Sequence, residues 1–167
     1  MFLHRTPSFI QKLYPSLTWR MASEEKVLYL TFDDGPIPEL TPWVLETLAA
    51  YQAKATFFCV GHNVEKHPDI FQRILAEGHA VGNHTYHHLN GWKNDATTYL
   101  KDSLKADEAM SQYTRTDLFR PPYGRLTQKQ LHQHRHKHIV MWDVLTGDFS
   151  AKLKPEQVLN KSISATR

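Results

Sequence analysis

VLYLTFDDGP, Val27 to Pro36, is an apolar run of β-branched and aromatic residues that stops on two adjacent carboxylates, a glycine and a proline. Val27 to Phe32 has the composition of a short strand buried on both faces, and Asp33-Asp34-Gly35-Pro36 ends it. Both carboxylates are thereby placed at a strand's C-terminal end. In α/β architectures the loops at that edge converge on a common crevice while the strands hold them rigid, so chemistry concentrates there. Consecutive side chains on extended backbone point in opposite directions, which lets one aspartate bind a metal while the other faces substrate or water. Asp-Gly-Pro is also ordinary turn chemistry, and taken alone the stretch favours that plainer reading.

Outward from this strand the chain alternates. A helix is expected over Pro42 to Tyr51, a strand over Thr56 to Val60, a helix over Pro68 to Glu77 and a strand near Ala80 to Gly82. A long polar helix from about Ala96 to Gln112 follows, then a strand and loop over Leu118 to Tyr123, a helix near Thr127 to Gln133, strand Ile139 to Val144 and helix Pro155 to Ala165. Pro42 and Pro68 sit where a helix's first turn needs no N–H donor, and Gly78 fits a C-cap. Repeated strand and helix in this order predict an α/β fold with a parallel sheet. No internal repeat beyond that unit and no low-complexity linker is visible.

Two further stretches bear on the aspartates. NHTYHH, Asn83 to His88, carries His84 and His88 at i and i+4, which share one face if the stretch is helical and are then close enough to hold one ion. A carboxylate and two neutral imidazoles leave coordination positions open, as a catalytic zinc requires for its water. His79 and His87 read as bystanders. RPPYG, Arg120 to Gly124, is stiffened by two prolines that push Arg120 into an extended conformation, so it presents an arginine and a backbone N–H to a fixed point. Such a loop suits a carboxylate partner or an oxyanion, although alone it is a plain Pro-rich turn.

The order TFDDGP, then H-T-x-x-H, then R-P-P-Y, joined by KATFF (Lys54 to Phe58) and EGHAVGNH (Glu77 to His84), resembles the polysaccharide deacetylase family, carbohydrate esterase family four, from about Lys26 to Phe149. The resemblance implies a distorted, incomplete (β/α) barrel that removes N-acetyl or O-acetyl groups from sugar polymers, peptidoglycan or chitin-like glycans ahead of acetylated xylan. It implies that Asp33 is the catalytic base and that Asp34, His84 and His88 hold a divalent metal. Zinc is expected ahead of cobalt, nickel or manganese. It further implies that Arg120 orients Asp33 and that the Tyr123 N–H helps to form an oxyanion hole, with Pro121 and Tyr123 contacting substrate.

The chain departs from the family pattern in two places. Where the family's fourth motif reads D-x-x-D-W, this chain has Leu145-Thr146-Gly147-Asp148-Phe149, which keeps one acid. Asp148 is retained as a partner for Arg120 and Phe149 as an apolar wall for substrate. The family's last motif, an apolar strand ending in a histidine that acts as general acid, would follow Arg167, so the stretch is expected to be C-terminally truncated. At 167 residues the chain is too short to close a barrel that typically needs about 250. The expected organisation is an N-terminal arm, 1–25, packing on the barrel, and a catalytic domain, 26–167.

The arm has scattered aromatics, Phe2, Phe9, Tyr14 and Trp19, but His4, Arg5, Gln11 and Lys12 interrupt any stretch long enough for a signal sequence or a membrane span. A cytoplasmic or cell-envelope home both stay open, and a segment lying on a membrane surface is a second reading of the arm. His132, His134, His136 and His138 alternate with a period that fits no helical face and read as a solvated loop or frayed helix end. Lys and Arg exceed Asp and Glu by three without a basic stripe, which gives nucleic-acid binding no support. The single Cys59 lies in apolar FFCV and reads as a buried strand residue.

The leading function is therefore a metal-dependent deacetylase of N-acetylated glycans. Two other classes remain: a catalytically silent carbohydrate-binding relative, and a small-molecule amidohydrolase on the same scaffold. Exposed aromatics would favour a glycan, with Trp92, Tyr86 and Trp142 as candidates and the core as the better place for Trp142.

Overall fold

The computed structural model describes residues 4–21 and 25–166. Phe2 of the N-terminal arm and Arg167 lie outside the described residues. The chain divides into two compact units, one from the described residues of Met1–Ala22 with Val140–Arg167, the other from those of Ser23–Ile139.

The larger unit is an open, wholly parallel sheet in the order β1-β2-β3-β4-β5, with strands Thr31–Asp33, Thr56–Cys59, Ala80–Asn83, Leu118–Phe119 and His138–Ile139. Sequence-consecutive strands are neighbours throughout, the topology of a barrel wall that has not closed. β2 pairs Thr31↔Thr56 and Asp33↔Phe58 on one side and Thr56↔Ala80 through Cys59↔Asn83 on the other. The Asp33 and Asn83 ends therefore lie at the same edge.

β2 also shows how the alternation of a strand divides the interior. Phe57 and Cys59 join Leu45, Val64, Phe71, Ile74, Val81, Ala106 and Met110 in the core under the helices. Phe58, fully buried, turns to the opposite face, where the Arg120 guanidinium carbon sits 4.1 Å from its ring centre. Gly82 makes room for that ring, since a Cβ there would stand 2.5 Å from Phe58 Cδ1.

The helices are α2 (Leu40–Ala50), α3 (Gly61–Lys66), α4 (Pro68–Ala76), α5 (Ala96–Ser111) and α6 (Gln128–Gln133), with α1 (Ser8–Leu13) and α7 (Pro155–Ala165) in the smaller unit. α5 starts where Asp95 accepts from the N–H groups of Thr97 and Thr98, and α6 opens with a capping box of Thr127 and Gln130. α3 and α5 pack on one another, as do α5 and α6. Among the described residues no helix is long and apolar enough to cross a membrane.

Three expectations need correction. The strand expected over Val27 to Phe32 begins only at Thr31, because its partner β2 begins at Thr56. Val27 to Leu30 run exposed, with Leu28 at 66%. An apolar run signals burial or pairing only where a neighbouring strand exists to receive it. Strand Ile139 to Val144 is reduced to His138–Ile139, and Val140 and Val144 instead make isolated bridges to Thr18 and Arg5 in the smaller unit. Asp143 in that stretch takes Arg5 at 3.8 Å, Arg20 at 3.3 Å and Gln11 at 3.1 Å. Finally, His134 is not solvated: it is buried, stacked 4.6 Å from the Phe119 ring centre and edge-on to Tyr99, while His132, His136 and His138 are exposed.

Candidate metal centre and catalytic site

Asp33 closes β1, and Asp34 follows it in the left-handed region at φ 71°. The two carboxylates therefore diverge because the backbone turns at Asp34, not through the alternation of a strand. A non-glycine residue in that region costs on the order of 1 kcal/mol or more and persists only where its surroundings enforce it. Here Asn63 Nδ2 donates to the Asp34 carbonyl at 2.8 Å, and the Val60 N–H donates to the Gly35 carbonyl at 2.9 Å.

His84 follows β3 directly and is buried. Its Nδ1 lies 2.7 Å from the Arg120 carbonyl oxygen. A carbonyl only accepts, so Nδ1 carries the proton and Nε2 keeps its lone pair. That Nε2 is 3.5 Å from Asp34 Oδ1, and His88 Nε2 is 3.2 Å from the same oxygen. One ligand atom from each of the three residues lies within 4.8 Å of the others.

The i, i+4 spacing works here without a helix. Thr85 and His88 both have positive φ, 62° and 56°, so a loop folds the second imidazole back beside the first, ring centres 5.1 Å apart. That loop is held from its flanks. Asn83 Oδ1 accepts from the Thr85 N–H at 2.7 Å, and Thr85 Oγ1 accepts from the Leu89 N–H at 3.2 Å. Asp102 of α5, buried, accepts on Oδ2 from the N–H groups of Tyr86 and His87 at 2.9 and 3.0 Å, and its Oδ1 is 2.5 Å from His87 Nδ1. Asn83 Nδ2 donates in turn to the Ser103 carbonyl and to Asp107 Oδ1, each at 2.8 Å, and Lys137 Nζ donates to that same Asp107 oxygen at 2.7 Å.

Charge favours cation binding at the triad. The His84 ring facing it holds the Asp34 carboxyl below the ordinary carboxylate range despite its partial burial, and the His88 ring acts in the same direction. Burial pushes the His88 imidazolium the other way, toward the neutral form that offers a lone pair, against the attraction of Asp34. One carboxylate and two imidazoles converging on a point, with 56% of the Asp34 side chain still open to solvent, form a donor set that fits a divalent cation with free positions.

Beside the triad, Arg120 is 2% exposed and sends Nη1 to Asp33 Oδ1 at 2.7 Å and to Thr31 Oγ1 at 2.8 Å. Its N–H donates to the Asn83 carbonyl at 3.0 Å. Pro121 and Pro122 are buried, and Tyr123 follows in a left-handed turn, φ 60° and ψ 6°, with its ring centre 4.7 Å from that of His88. Asp148 and Phe149 belong to the smaller unit. Asp148 accepts from the Thr146 hydroxyl at 2.7 Å, and Phe149 is exposed.

The structure thus gathers Asp33, Asp34, His84, His88, Arg120 and Tyr123 at one sheet edge, and it adds Thr31, Asn83 and Asp102, which the sequence did not mark. Asp102 had no signal beyond one acid in a polar helix. Of the aromatic candidates, Tyr86 is core, its hydroxyl donating to Glu65 at 2.6 Å, whereas Trp92 is exposed.

The polysaccharide deacetylase family profile matches residues 20–142. A peptidoglycan-N-acetylglucosamine deacetylase of Bacillus cereus is 42% identical over 124 residues, which cover 72% of this chain and 45% of that protein. The solved structure of the Bc1960 peptidoglycan N-acetylglucosamine deacetylase superposes with a TM-score of 0.86 at 34% identity, covering 96% of this chain and 76% of the other. Peptidoglycan deacetylase PdaC from Bacillus subtilis gives 0.78 at 31%, covering 84% and 70%. This chain spans about half the length of the first two curated relatives, 45% and 51%. With TFDDGP, NHTYHH and RPPYG inside the matched residues and their side chains assembled at one edge of the sheet, the chain belongs to the polysaccharide deacetylase family.

Proposed function

We propose that this chain carries the centre of a metal-assisted deacetylase acting on N-acetyl groups of a glycan, with cell-wall aminosugar polymers as the substrate class. The observation that carries the reading is the convergence of Asp34, His84 and His88 on one point, beside an Asp33 carboxylate fixed by buried Arg120. Relatives named for peptidoglycan and chitooligosaccharide deacetylation support the substrate class.

Asp34 Oδ1, His84 Nε2 and His88 Nε2 would hold a divalent cation, which would supply a Lewis acid for the acyl oxygen and lower the pKa of a water. Asp33 takes the proton of the attacking water, and the Arg120 fork keeps its carboxylate aimed. The Tyr123 N–H, presented by a turn stiffened by Pro121 and Pro122, donates to the oxyanion of the tetrahedral intermediate. The C–N bond then breaks to acetate and a free amine, the leaving nitrogen taking the proton that Asp33 accepted from the water. The roles given to Asp148 and Phe149 rest on the sequence alone.

The test is acetate release from N-acetylglucosamine oligomers by wild type, Asp33→Asn and Asp34→Ala, each after chelation and again with zinc restored. The reading expects zinc-dependent turnover in wild type, zinc binding without turnover in Asp33→Asn, and loss of both in Asp34→Ala. Turnover that survives chelation refutes the metal assignment. Oligomer binding with no turnover by wild type favours a catalytically silent carbohydrate-binding relative instead.

A further inference from the structure

Trp92 is 65% exposed in the loop that follows His88, yet both its indole and the backbone beneath it are held by hydrogen bonds. Its indole is fixed on two sides: Nε1–H donates to the Leu126 carbonyl at 3.2 Å, and the Arg125 guanidinium carbon lies 4.8 Å from its ring centre. The backbone beneath it is fixed as well. Asn90 Oδ1 accepts from the Trp92 N–H at 3.0 Å, and Asn94 Nδ2 returns to the Asn90 carbonyl at 2.8 Å.

Below the turn lies Gln130, fully buried, whose Nε2 donates to the Gly91 and Asn94 carbonyls at 2.9 and 3.0 Å while its Oε1 accepts from the Thr127 N–H at 2.8 Å. Gly91 passes so close to the other loop that a Cβ would stand 2.2 Å from the Arg125 carbonyl oxygen. The loop after β3 and the loop after β4 are therefore clamped together, and each also carries part of the centre, His88 in one and Tyr123 in the other. His88 and Trp92 are four positions apart, a reach of at most about 14 Å.

An exposed tryptophan is ordinary when it is mobile, but one immobilised by a donated hydrogen bond and a cation over one face presents the other face as a preformed apolar platform. The apolar C–H face of a pyranose ring is the ligand such a platform fits, and rigidity removes the ordering cost of receiving it. We propose that Trp92 is a sugar-stacking subsite for a glycan residue beyond the one whose acetyl group reacts, so that the site is built for a chain of aminosugars and not for a single small amide. This rests on the deacetylase reading and names its substrate length.

The experiment compares wild type, Trp92→Ala, Trp92→Phe and, as a control far from the site, Tyr51→Ala. It measures acetate release from N-acetylglucosamine monomer, dimer and hexamer, and hexamer binding by calorimetry in zinc-loaded protein. Trp92→Ala should raise KM and Kd for the hexamer about tenfold, the order expected for one lost apolar face. It should leave kcat, and all parameters for the monomer, within twofold of wild type. Trp92→Phe should recover part of the loss, and Tyr51→Ala should match wild type. Equal hexamer affinity in wild type and Trp92→Ala overturns the subsite, as does a loss of the same size for monomer and hexamer. If wild type binds hexamer but releases no acetate, the deacetylase reading fails while the calorimetry still decides the platform; if wild type binds no hexamer, the platform is refuted directly.

Discussion

Asp102→Ala removes a side chain that touches no substrate and no metal ligand, yet it should loosen the metal centre. Its carboxylate receives two backbone N–H groups, from Tyr86 at 2.9 Å and His87 at 3.0 Å, inside the loop that brings His88 back to His84. Hydrogen bonds to a charged, buried acceptor contribute about 1.5 kcal/mol each, so the two together are worth about 3 kcal/mol. The third bond, to the half-exposed His87 ring at 2.5 Å, adds at most about 0.5 kcal/mol after solvent screening. In a protein of this size about 3 kcal/mol lowers Tm by roughly 10 °C. The larger effect is on geometry, because Thr85 and His88 hold positive φ only while the loop is pinned. Freed, it should lose zinc affinity by about 10- to 100-fold, the usual cost of removing an outer partner of a metal ligand. Asp102→Asn keeps one acceptor for both N–H groups and should lose about 1 kcal/mol. Thermal melts followed by circular dichroism and zinc titration by calorimetry read both effects. A Tm drop below about 3 °C in Asp102→Ala refutes the energetic argument, and zinc affinity within twofold of wild type refutes the claim that Asp102 shapes the ligand loop.

Gly91→Ala places a Cβ 2.2 Å from the Arg125 carbonyl oxygen, backbone against backbone, so the clamp between the two loops should open at a cost of about 3 kcal/mol, seen as a lower urea midpoint with an unchanged slope. Asp107→Ala strips Lys137 Nζ and Asn83 Nδ2 of their shared acceptor, and with Lys137 nearly buried the expected loss is again about 3 kcal/mol; restoration by Asp107→Asn of no more than part of it would show the charge to matter. His134 provides a pH test. Burial holds its imidazolium well below the ordinary value, so the unfolded chain binds the proton first. Stability is therefore complete above about pH 6.5 and falls as pH drops from there toward the folded-state value, and His134→Phe should flatten that part of the curve measured by urea melts.

Much of the fold is legible where local chemistry is decisive. Pro155 and Pro68 stand in the first turns of α7 and α4, and Asp95 and Thr127 cap α5 and α6 with local bonds that need no tertiary partner. Strand limits are less legible, because Val27 to Leu30 are at least as good strand formers as Thr31 to Asp33 and only the start of β2 separates them. α3 went unread because GHNVEK has neither a cap nor a clear apolar period. At the site, residue types at fixed spacing announce the ligands, but not the left-handed turns at Asp34, Thr85 and Tyr123 that aim them. Asp102 and Gln130 act across 15 to 39 positions of sequence, a relation that folding alone reveals.

Arg120 reaches three residues of the centre with different parts of itself: the N–H to the Asn83 carbonyl, the carbonyl to His84 Nδ1, and the guanidinium to Asp33. The first two belong to the backbone and survive any substitution except proline, while the third belongs to the side chain. On the proposed mechanism, ion capture and proton abstraction are consequently separable by mutation at a single codon. A lineage that lost the guanidinium would keep an imidazole of fixed tautomer and a metal trap, and with them a route from catalyst to binding protein that leaves the rest of the centre intact.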